Sequence, residues 1–310
     1  STLTMRTVRF VPIFALMLAL GLRAQVPILP LSEVKAGMKA TGKTVFNGAN
    51  IEDFDVEILG VLENAGPKQS IILARLSGGP MSHTGVLQGM SGSPVYFNGR
   101  LLGAVALSFP FSKDPIAGIR PIEEMLATAT TPRAPRAVNV SNPFDLASLL
   151  PKPQSFDFGP NRLTEIATPL WLGGFTRNAF DHFAPILRSA GLEPVQGLSG
   201  GGRPPRQLGD PSTLKPGSMI SVQLITGDLA AGADGTITHI DGDRIFAFGH
   251  RFMATGDSEM PFARAEVMTL LASQNSSFKI SSTKEWMGTI TQDRTTRSEE
   301  HTSELQSRQS

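Results

Sequence analysis

The stretch from residue 89 to residue 107 constrains the fold more than any other part of the sequence. Residues 89–94 read GMSGSP, and two apolar segments follow, PVYF (94–97) and RLLGAVAL (100–107), separated by Asn98-Gly99. An Asn-Gly pair between two apolar runs is the strongest short-range signal for a β-hairpin, because both residues tolerate a positive φ. The sequence therefore predicts a glycine-rich turn that opens directly into two antiparallel strands.

Further strands are predicted before this hairpin. Apolar and β-branched residues dominate three segments that are separated by turn residues, at 38–46, 54–62 and 70–76. Five or more strands are enough for a small closed barrel, which we expect to end in a short helix at 121–126. This pattern predicts a first domain at 31–128.

The second half of the sequence predicts another β region. Residues 129–160 are rich in Thr, Ala, Pro and Ser, which indicates a linker. Within 161–296 we expect a helix at 178–190 and strands at 219–225, 235–240, 244–248, 267–271 and 278–290. The 31 glycines and 23 prolines agree with many short strands joined by turns, so the expected fold class is mostly β.

Both ends of the sequence differ from the rest. Within residues 1–24, arginines precede an apolar run of about 13 residues, shorter than the ~20 that span a bilayer. We expect a secretory signal peptide and an exported protein, in the periplasm, the cell envelope or outside the cell. A retained membrane anchor is the alternative.

Residues 297–310 include RSEEHTSELQS, which reads like a translated sequencing adapter, so we expect an artefact there and a natural sequence that continues past Thr296.

The amino-acid composition excludes several classes of ligand and binding partner. The formal net charge is +1 and no basic run alternates with aromatic residues, so nucleic-acid binding is not expected. The sequence has no cysteine, which excludes disulfides, thiolate zinc sites and a cysteine nucleophile. It carries no recognisable metal motif, and we expect neither a metal nor a cofactor. A peptide or protein is the expected partner.

Ser91 is the candidate nucleophile. Its small neighbours let the backbone turn sharply, so that the N–H groups of Gly89 and Ser91 can point at one developing oxyanion. An α/β-hydrolase elbow would need glycine at position 93 and a helix after it, whereas this sequence has Ser93 and then a strand. The alternative is a glycine-rich turn that merely contains a serine. Ser199, in GLSGG (197–201), fits G-x-S-x-G formally, but no strand precedes it and we expect a flexible loop there.

A serine hydroxyl needs a base, and histidine is the usual one. His250 ends a predicted strand after small residues, which would leave its imidazole free to project into a cleft, and it is the favoured base. His83, eight residues before Ser91, is the rival. His182 and His239 fall within a predicted helix and a predicted strand, where ordinary structural roles are expected.

Three blocks of sequence carry a family resemblance. They are GMSGSPVYFNGRLLGAV (89–105), GTITHIDGDRIFAFGHRF (235–252) and WMGTITQDR (286–294). Together they resemble the stage IV sporulation protein B (SpoIVB) family of serine peptidases. The resemblance implies endopeptidase activity, a chymotrypsin-like double β-barrel, Ser91 as nucleophile and His250 as base.

The order of the blocks and the third catalytic residue depart from that family. In the family the histidine block precedes the serine block, so the resemblance implies a permuted fold, which we expect to be truncated at its C-terminus. The family's aspartate lies upstream of the serine motif, where this chain has LSGGP (76–80) and no carboxylate. The candidate orienting acids are Asp243, Asp257, Glu266 and Asp293, and a Ser-His dyad without an acid is the alternative.

These observations predict an exported serine endopeptidase that acts through an acyl-enzyme. Two other functions remain open. One is a catalytically inactive peptidase-like scaffold or peptide-binding envelope protein, and the other is an esterase that uses the same serine.

Overall fold

The computed structural model describes residues 26–127, 150–197 and 207–294, together with the backbone of 297–301. The predicted signal peptide, most of the predicted linker and the loop around Ser199 lie outside these ranges. Two eight-stranded sheets, mostly antiparallel, make up the fold. Within the described residues, no helix is long and apolar enough to cross a membrane.

The first sheet closes into a barrel. Its strands are β1 (Lys39–Asn47), β2 (Asn50–Gly66), β3 (Gln69–Ser77), β4 (Pro94–Phe97), β5 (Arg100–Ser108), β6 (Ile116–Pro121), β7 (Ser155–Phe158) and β8 (Asn161–Glu165). Six of them pair in a ring, in the order β1-β2-β3-β6-β5-β4 and back to β1. The predicted hairpin is β4 and β5, and its turn residues Asn98 and Gly99 have φ angles of 48° and 75°. Two short helices flank these strands, α1 (Met81–Thr84) and α2 (Ile122–Leu126).

The first sheet extends further along the chain than the predicted domain boundary at residue 128. Strands β7 and β8 form a hairpin, and β8 pairs with β5 through Leu107 opposite Glu165 and Ser108 opposite Thr164. The end of the predicted linker, 129–160, is therefore a strand, and the start of the predicted second region is attached to the first barrel. This pairing joins segments more than 50 residues apart, which local sequence patterns do not report.

The second sheet also closes. Its strands are β9 (Thr168–Gly173), β10 (Leu192–Gln196), β11 (Met219–Ile225), β12 (Ala230–Asp241), β13 (Arg244–Ala247), β14 (Gly256–Leu271), β15 (Phe278–Arg294) and β16 (Arg297–His301). Six of them pair in the ring β12-β11-β14-β15-β16-β13, in which β16 belongs to the segment 297–310 that the sequence predicts to be an artefact. The predicted helix is α3 (Arg177–Ser189), which Thr176 caps by accepting a hydrogen bond from the amide of Ala179. Single 3₁₀ turns occur at Leu31–Glu33 and Pro211–Thr213.

The two barrels pack against each other through apolar side chains. Val45 of the first barrel clusters with Met219, Ala265 and Val267 of the second, and Phe246 packs with Ala104 and its neighbours. This architecture confirms the predicted mostly β fold of the chymotrypsin-like double-barrel type. The turn that contains Ser91 accepts a hydrogen bond from Thr236 of β12, and Gly249, next to His250, lies close to Ala104 and Ala106 of β5. Both segments therefore lie where the barrels meet.

Candidate active site

The turn that we name the serine loop, residues 88–93, is fully enclosed. Ser91 has 0% of its surface exposed, and its Oγ has no hydrogen-bond partner among the described residues. Buried hydroxyl groups are usually hydrogen-bonded, so an unpaired one is a candidate for a functional role. Ser91 is therefore held as an unpaired hydroxyl at the junction of the barrels.

The geometry of the serine loop leaves two amides unused. Gly89 and Gly92 have φ angles of 86° and 92°, which glycine adopts without strain. The Gly92 amide donates to the carbonyl oxygen of Val105 at 2.8 Å, and the Ser93 amide donates to that of Met90 at 2.9 Å. Within the described part of the chain, the amides of Gly89 and Ser91 donate no hydrogen bond. These are the two amides that the sequence predicts as oxyanion donors.

Strand β12 of the second barrel holds the serine loop. The Thr236 amide donates to the carbonyl oxygen of Ser91 at 2.9 Å, and its Oγ1 donates to that of Gly89 at 2.9 Å. Thr238 Oγ1 donates to the carbonyl oxygen of Gly92 at 2.7 Å. Three consecutive contacts from one strand fix the position of the loop relative to the second barrel.

The turn that carries His250 meets the serine loop at Val105. Phe248 and Gly249 have φ angles of 65° and 69°, which turns the chain sharply after β13. A Cβ placed on Gly249 would lie 3.4 Å from the carbonyl oxygen of Val105, the same atom that accepts the Gly92 amide. The segments that contain Ser91 and His250 therefore converge on one atom of the first barrel.

The His250 imidazole is buried, and only one of its two ring nitrogens has a hydrogen-bond partner among the described residues. Its Nδ1 lies 2.7 Å from the carbonyl oxygen of Arg251, and because a carbonyl can only accept, Nδ1 carries the proton. Nε2 is then the basic nitrogen, and it has no partner among the described residues. Ser91 Oγ and His250 Nε2 are not hydrogen-bonded to each other in this structure.

Asp293 approaches the histidine turn but contacts its backbone. The carboxylate, only 1% exposed, accepts hydrogen bonds from the amides of Phe252, Met253 and Thr255 at 2.7, 2.6 and 3.4 Å. A carboxylate that accepts several amides is a strong local anchor. Asp293 thus fixes the segment after His250, and its described contacts do not include the imidazole.

The other three candidate acids lie elsewhere on the second barrel. Asp257 is paired with Arg294 at the surface, and Glu266 pairs with Arg264 and Lys284. Asp243 lies in the exposed turn between β12 and β13, at the opposite end of β13 from His250. Within the described residues, His250 makes no hydrogen bond with any of the four candidates.

Two other histidines considered in the sequence lie away from the serine loop or have a structural role. His83 lies exposed in α1, and His239 is buried and stacked on Phe246. Burial lowers the pKa of His239, which favours its neutral form. Over the described ranges, no group of three or more metal-ligating side chains is gathered together.

The segment that carries the serine loop matches a known family. Residues 18–126 match the family model described as SpoIVB peptidase S55. This region is similar to the SpoIVB peptidases. The match confirms the resemblance predicted from the sequence and supports a serine peptidase. It ends before His250, so it bears on Ser91 and leaves the partner of Ser91 as a prediction. No curated protein and no solved structure matches the chain.

A buried polar cluster beneath the SpoIVB-like serine loop was not predicted. Lys279, fully buried on β15, donates from Nζ to Thr44 Oγ1 at 2.7 Å, and Ser93 Oγ donates to the same atom at 3.0 Å. Nearby, the buried carboxylate of Asp234 accepts from Trp171 Nε1 at 2.7 Å and from Ser281 Oγ at 2.6 Å. The cluster joins the serine loop, the first barrel and the second barrel.

Burial shifts both charged groups of this cluster. It lowers the pKa of Lys279 to about 7, opposed by the charge of Asp234. It raises the pKa of Asp234 to about 6, opposed by hydrogen bonds from Ser281, Ser221 and Trp171 and by the charge of Lys279. Strand alternation was the available signal, but it favoured Phe278 and Ile280 as the buried positions. The structure instead buries Lys279 and Ser281.

The anchoring of the histidine turn by Asp293 can be tested by mutation. In Asp293→Ala, three amides of the histidine turn lose their acceptor, so we expect the free energy of unfolding to fall by about 3 kcal/mol. Urea denaturation measures this change. Asp257→Ala removes an exposed carboxylate of the same barrel and should cost less than about 0.5 kcal/mol. Equal losses in the two variants would contradict the anchoring role of Asp293.

Proposed function

We propose that this protein is an exported serine endopeptidase in which Ser91 is the nucleophile and His250 is the general base. The main support for this proposal is the structure of the serine loop. Inside a region similar to SpoIVB peptidases, an unpaired serine hydroxyl stands beside two amides that donate no hydrogen bond within the described residues. This combination is what acyl transfer to serine needs.

The proposed reaction has two steps, acylation of Ser91 and hydrolysis of the acyl-enzyme. His250 Nε2 takes the proton of Ser91 as Oγ bonds to the peptide carbonyl carbon, and the amides of Gly89 and Ser91 hold the oxyanion. The imidazolium then gives that proton to the leaving amine, which leaves an acyl ester on Ser91. Water, deprotonated by His250, then attacks the ester carbonyl; as the bond to Ser91 Oγ breaks, the imidazolium returns the proton to Oγ, which releases the acid and restores the serine.

The carbonyl of Arg251 supports this assignment of roles. By accepting from Nδ1, it keeps the proton off Nε2, which is one of the functions of the aspartate in a Ser-His-Asp triad. A neutral carbonyl stabilises the imidazolium less than a carboxylate does. We therefore propose a Ser-His dyad oriented by a backbone carbonyl.

Catalysis also requires Ser91 to become accessible. Ser91 and His250 are 0% and 2% exposed, so a substrate carbonyl reaches them only after the groups that cover them move. The same burial, with the absence of a Ser91–His250 hydrogen bond, favours a second candidate function, an inactive peptidase-like scaffold that binds peptides. Export, proposed from the sequence of residues 1–24, is common to both.

Covalent labelling separates these functions. The protein is treated with a fluorophosphonate probe and the adduct is mapped by peptide mass spectrometry. We expect one adduct per molecule, on Ser91. An adduct on another serine would overturn the assignment, and no adduct in an otherwise folded protein would favour the scaffold. Labelling of Ser91 without cleavage of any peptide library, but with ester hydrolysis, would identify an esterase.

A further inference from the structure

Lys279 is a buried lysine that spans the two barrels. It belongs to β15 of the second barrel, has 0% exposure, and reaches Thr44 on β1 of the first barrel with a 2.7 Å hydrogen bond. Its aliphatic stem lies beneath the serine loop, where a Cβ on Gly89 would be 3.4 Å from Lys279 Cδ. A fully buried lysine is rare because desolvation of the ammonium group costs free energy.

Thr44 connects this lysine to the serine loop. Its Oγ1 accepts from Lys279 Nζ and from Ser93 Oγ, which is possible because a hydroxyl oxygen has two lone pairs. The Lys279 amide also donates to the carbonyl oxygen of Gln88 at 3.3 Å, and the Gln88 amide donates to that of Ser277 at 2.9 Å. Both ends of the serine loop are therefore tied to the start of β15.

Asp234 supplies the compensating charge. It is fully buried on β12, and its negative charge favours the protonated form of Lys279. The other groups that face Lys279 are uncharged, namely Thr44 from β1 and Gln88 and Gly89 from the serine loop. The aliphatic stem of Lys279 thus lies against Gly89, and its ammonium group lies at Thr44, which Ser93 of the serine loop also contacts.

We propose that Lys279 is a positioning residue that holds the serine loop in its reactive geometry and places a positive charge close to this loop. This inference rests on the proposed function for its catalytic part. Preorganised charge near a developing oxyanion lowers the barrier because it needs no reorientation during the reaction. The geometrical part, the restraint of the serine loop by Lys279, stands independently of activity.

The variant Lys279→Met removes the charge and the Thr44 hydrogen bond and keeps the length of the side chain. Two measurements test it, the fluorophosphonate labelling rate per folded molecule between pH 5 and pH 9 and the hydrogen–deuterium exchange of residues 88–93. We expect labelling at pH 7 to slow roughly 10- to 100-fold and exchange of the serine loop to accelerate. The ratio of the wild-type labelling rate to the Lys279→Met rate should fall as the pH rises through about 7, because Lys279 loses its proton while the titration of every other group is common to both proteins.

Two further variants keep the inference testable. Lys284→Met removes a half-exposed lysine of the same strand, paired with Glu266 at 3.3 Å, and should leave the labelling rate, pH profile and loop exchange unchanged. If Lys279→Met alone unfolds, Lys279→Met with Asp234→Asn removes both buried charges and is measured instead.

The outcomes distinguish this inference from the proposed function. A wild type that never labels overturns the proposed function, while the exchange data still decide whether Lys279 restrains the loop. A Lys279→Met protein that labels at the wild-type rate per folded molecule across the whole pH range overturns the catalytic part. Unchanged exchange of residues 88–93 overturns the restraint.

Discussion

Replacing His250 by alanine is expected to lower the rate of acyl-enzyme formation roughly 10³-fold or more. In the proposed reaction the imidazole takes the Ser91 proton, and its Nε2 is buried without a hydrogen-bond partner among the described residues. The measurement is kcat/KM on a fluorogenic peptide, together with the second-order rate constant for fluorophosphonate labelling. Ser91→Ala removes the bonding atom itself and should abolish labelling.

Combining the two changes sharpens this prediction. If Ser91 and His250 act as one unit, Ser91→Ala with His250→Ala should be no slower than Ser91→Ala alone, because the base has no function without its nucleophile. His182→Ala is the matched control, since His182 is exposed on α3 and its ring packs against the neighbouring Phe183. A His250→Ala protein that labels as fast as this control would remove His250 from the mechanism. Loss of labelling in Ser199→Ala would instead assign the nucleophile to Ser199.

The serine loop and its hairpin were predictable because their determinants are local. Asn98 and Gly99 both adopt the positive φ that the turn requires, and β4 and β5 begin and end within one residue of the predicted segments. The glycines at 89 and 92 likewise adopt positive φ. Turn chemistry acts over a few residues, so a single sequence contains the information.

Elements that depend on distant partners were harder to predict. The first eleven of the sixteen residues of β14, 256–266, include charged residues and Pro261 and were not predicted as a strand. It forms a strand because β11 and β15 pair with it on both sides. Strand β7 similarly depends on β8 and β5. Strand propensity is strongly modified by such context.

The candidate site likewise has some features that the sequence predicted and others that it did not. Sequence pattern singled out Ser91 and His250, and the fold brings their segments to a common atom, the carbonyl oxygen of Val105. The orientation of the His250 ring depends on a torsion angle and on the Arg251 carbonyl, neither of which leaves a trace in residue order. Lys279 escaped prediction because its burial follows from the meeting of two barrels, against the apolar alternation of its own strand.

Of the two glycine-to-alanine substitutions possible in the serine loop, Gly92→Ala is expected to be the more destabilising. A Cβ at this position would lie 2.0 Å from the carbonyl oxygen of Thr236 and 2.6 Å from the amide nitrogen of Phe248. Both atoms belong to backbone of the second barrel, so no side-chain rotation relieves the overlap. The φ of 92° adds the strain of a left-handed conformation. We expect the free energy of unfolding to fall by about 3 to 5 kcal/mol, measured by urea denaturation.

Gly99→Ala is the control that isolates the role of the barrel contact. Gly99 also has a positive φ, 75°, but a Cβ there meets nothing within 4 Å, so only the conformational strain of about 1 kcal/mol applies. The difference between the two variants measures how closely the second barrel approaches the serine loop. If both variants lose the same stability, that approach is looser than the contacts of Thr236 and Phe248 indicate. A large difference, accompanied by faster hydrogen exchange of residues 88–93 and of β12, would establish that the conformation of the serine loop depends on both barrels together.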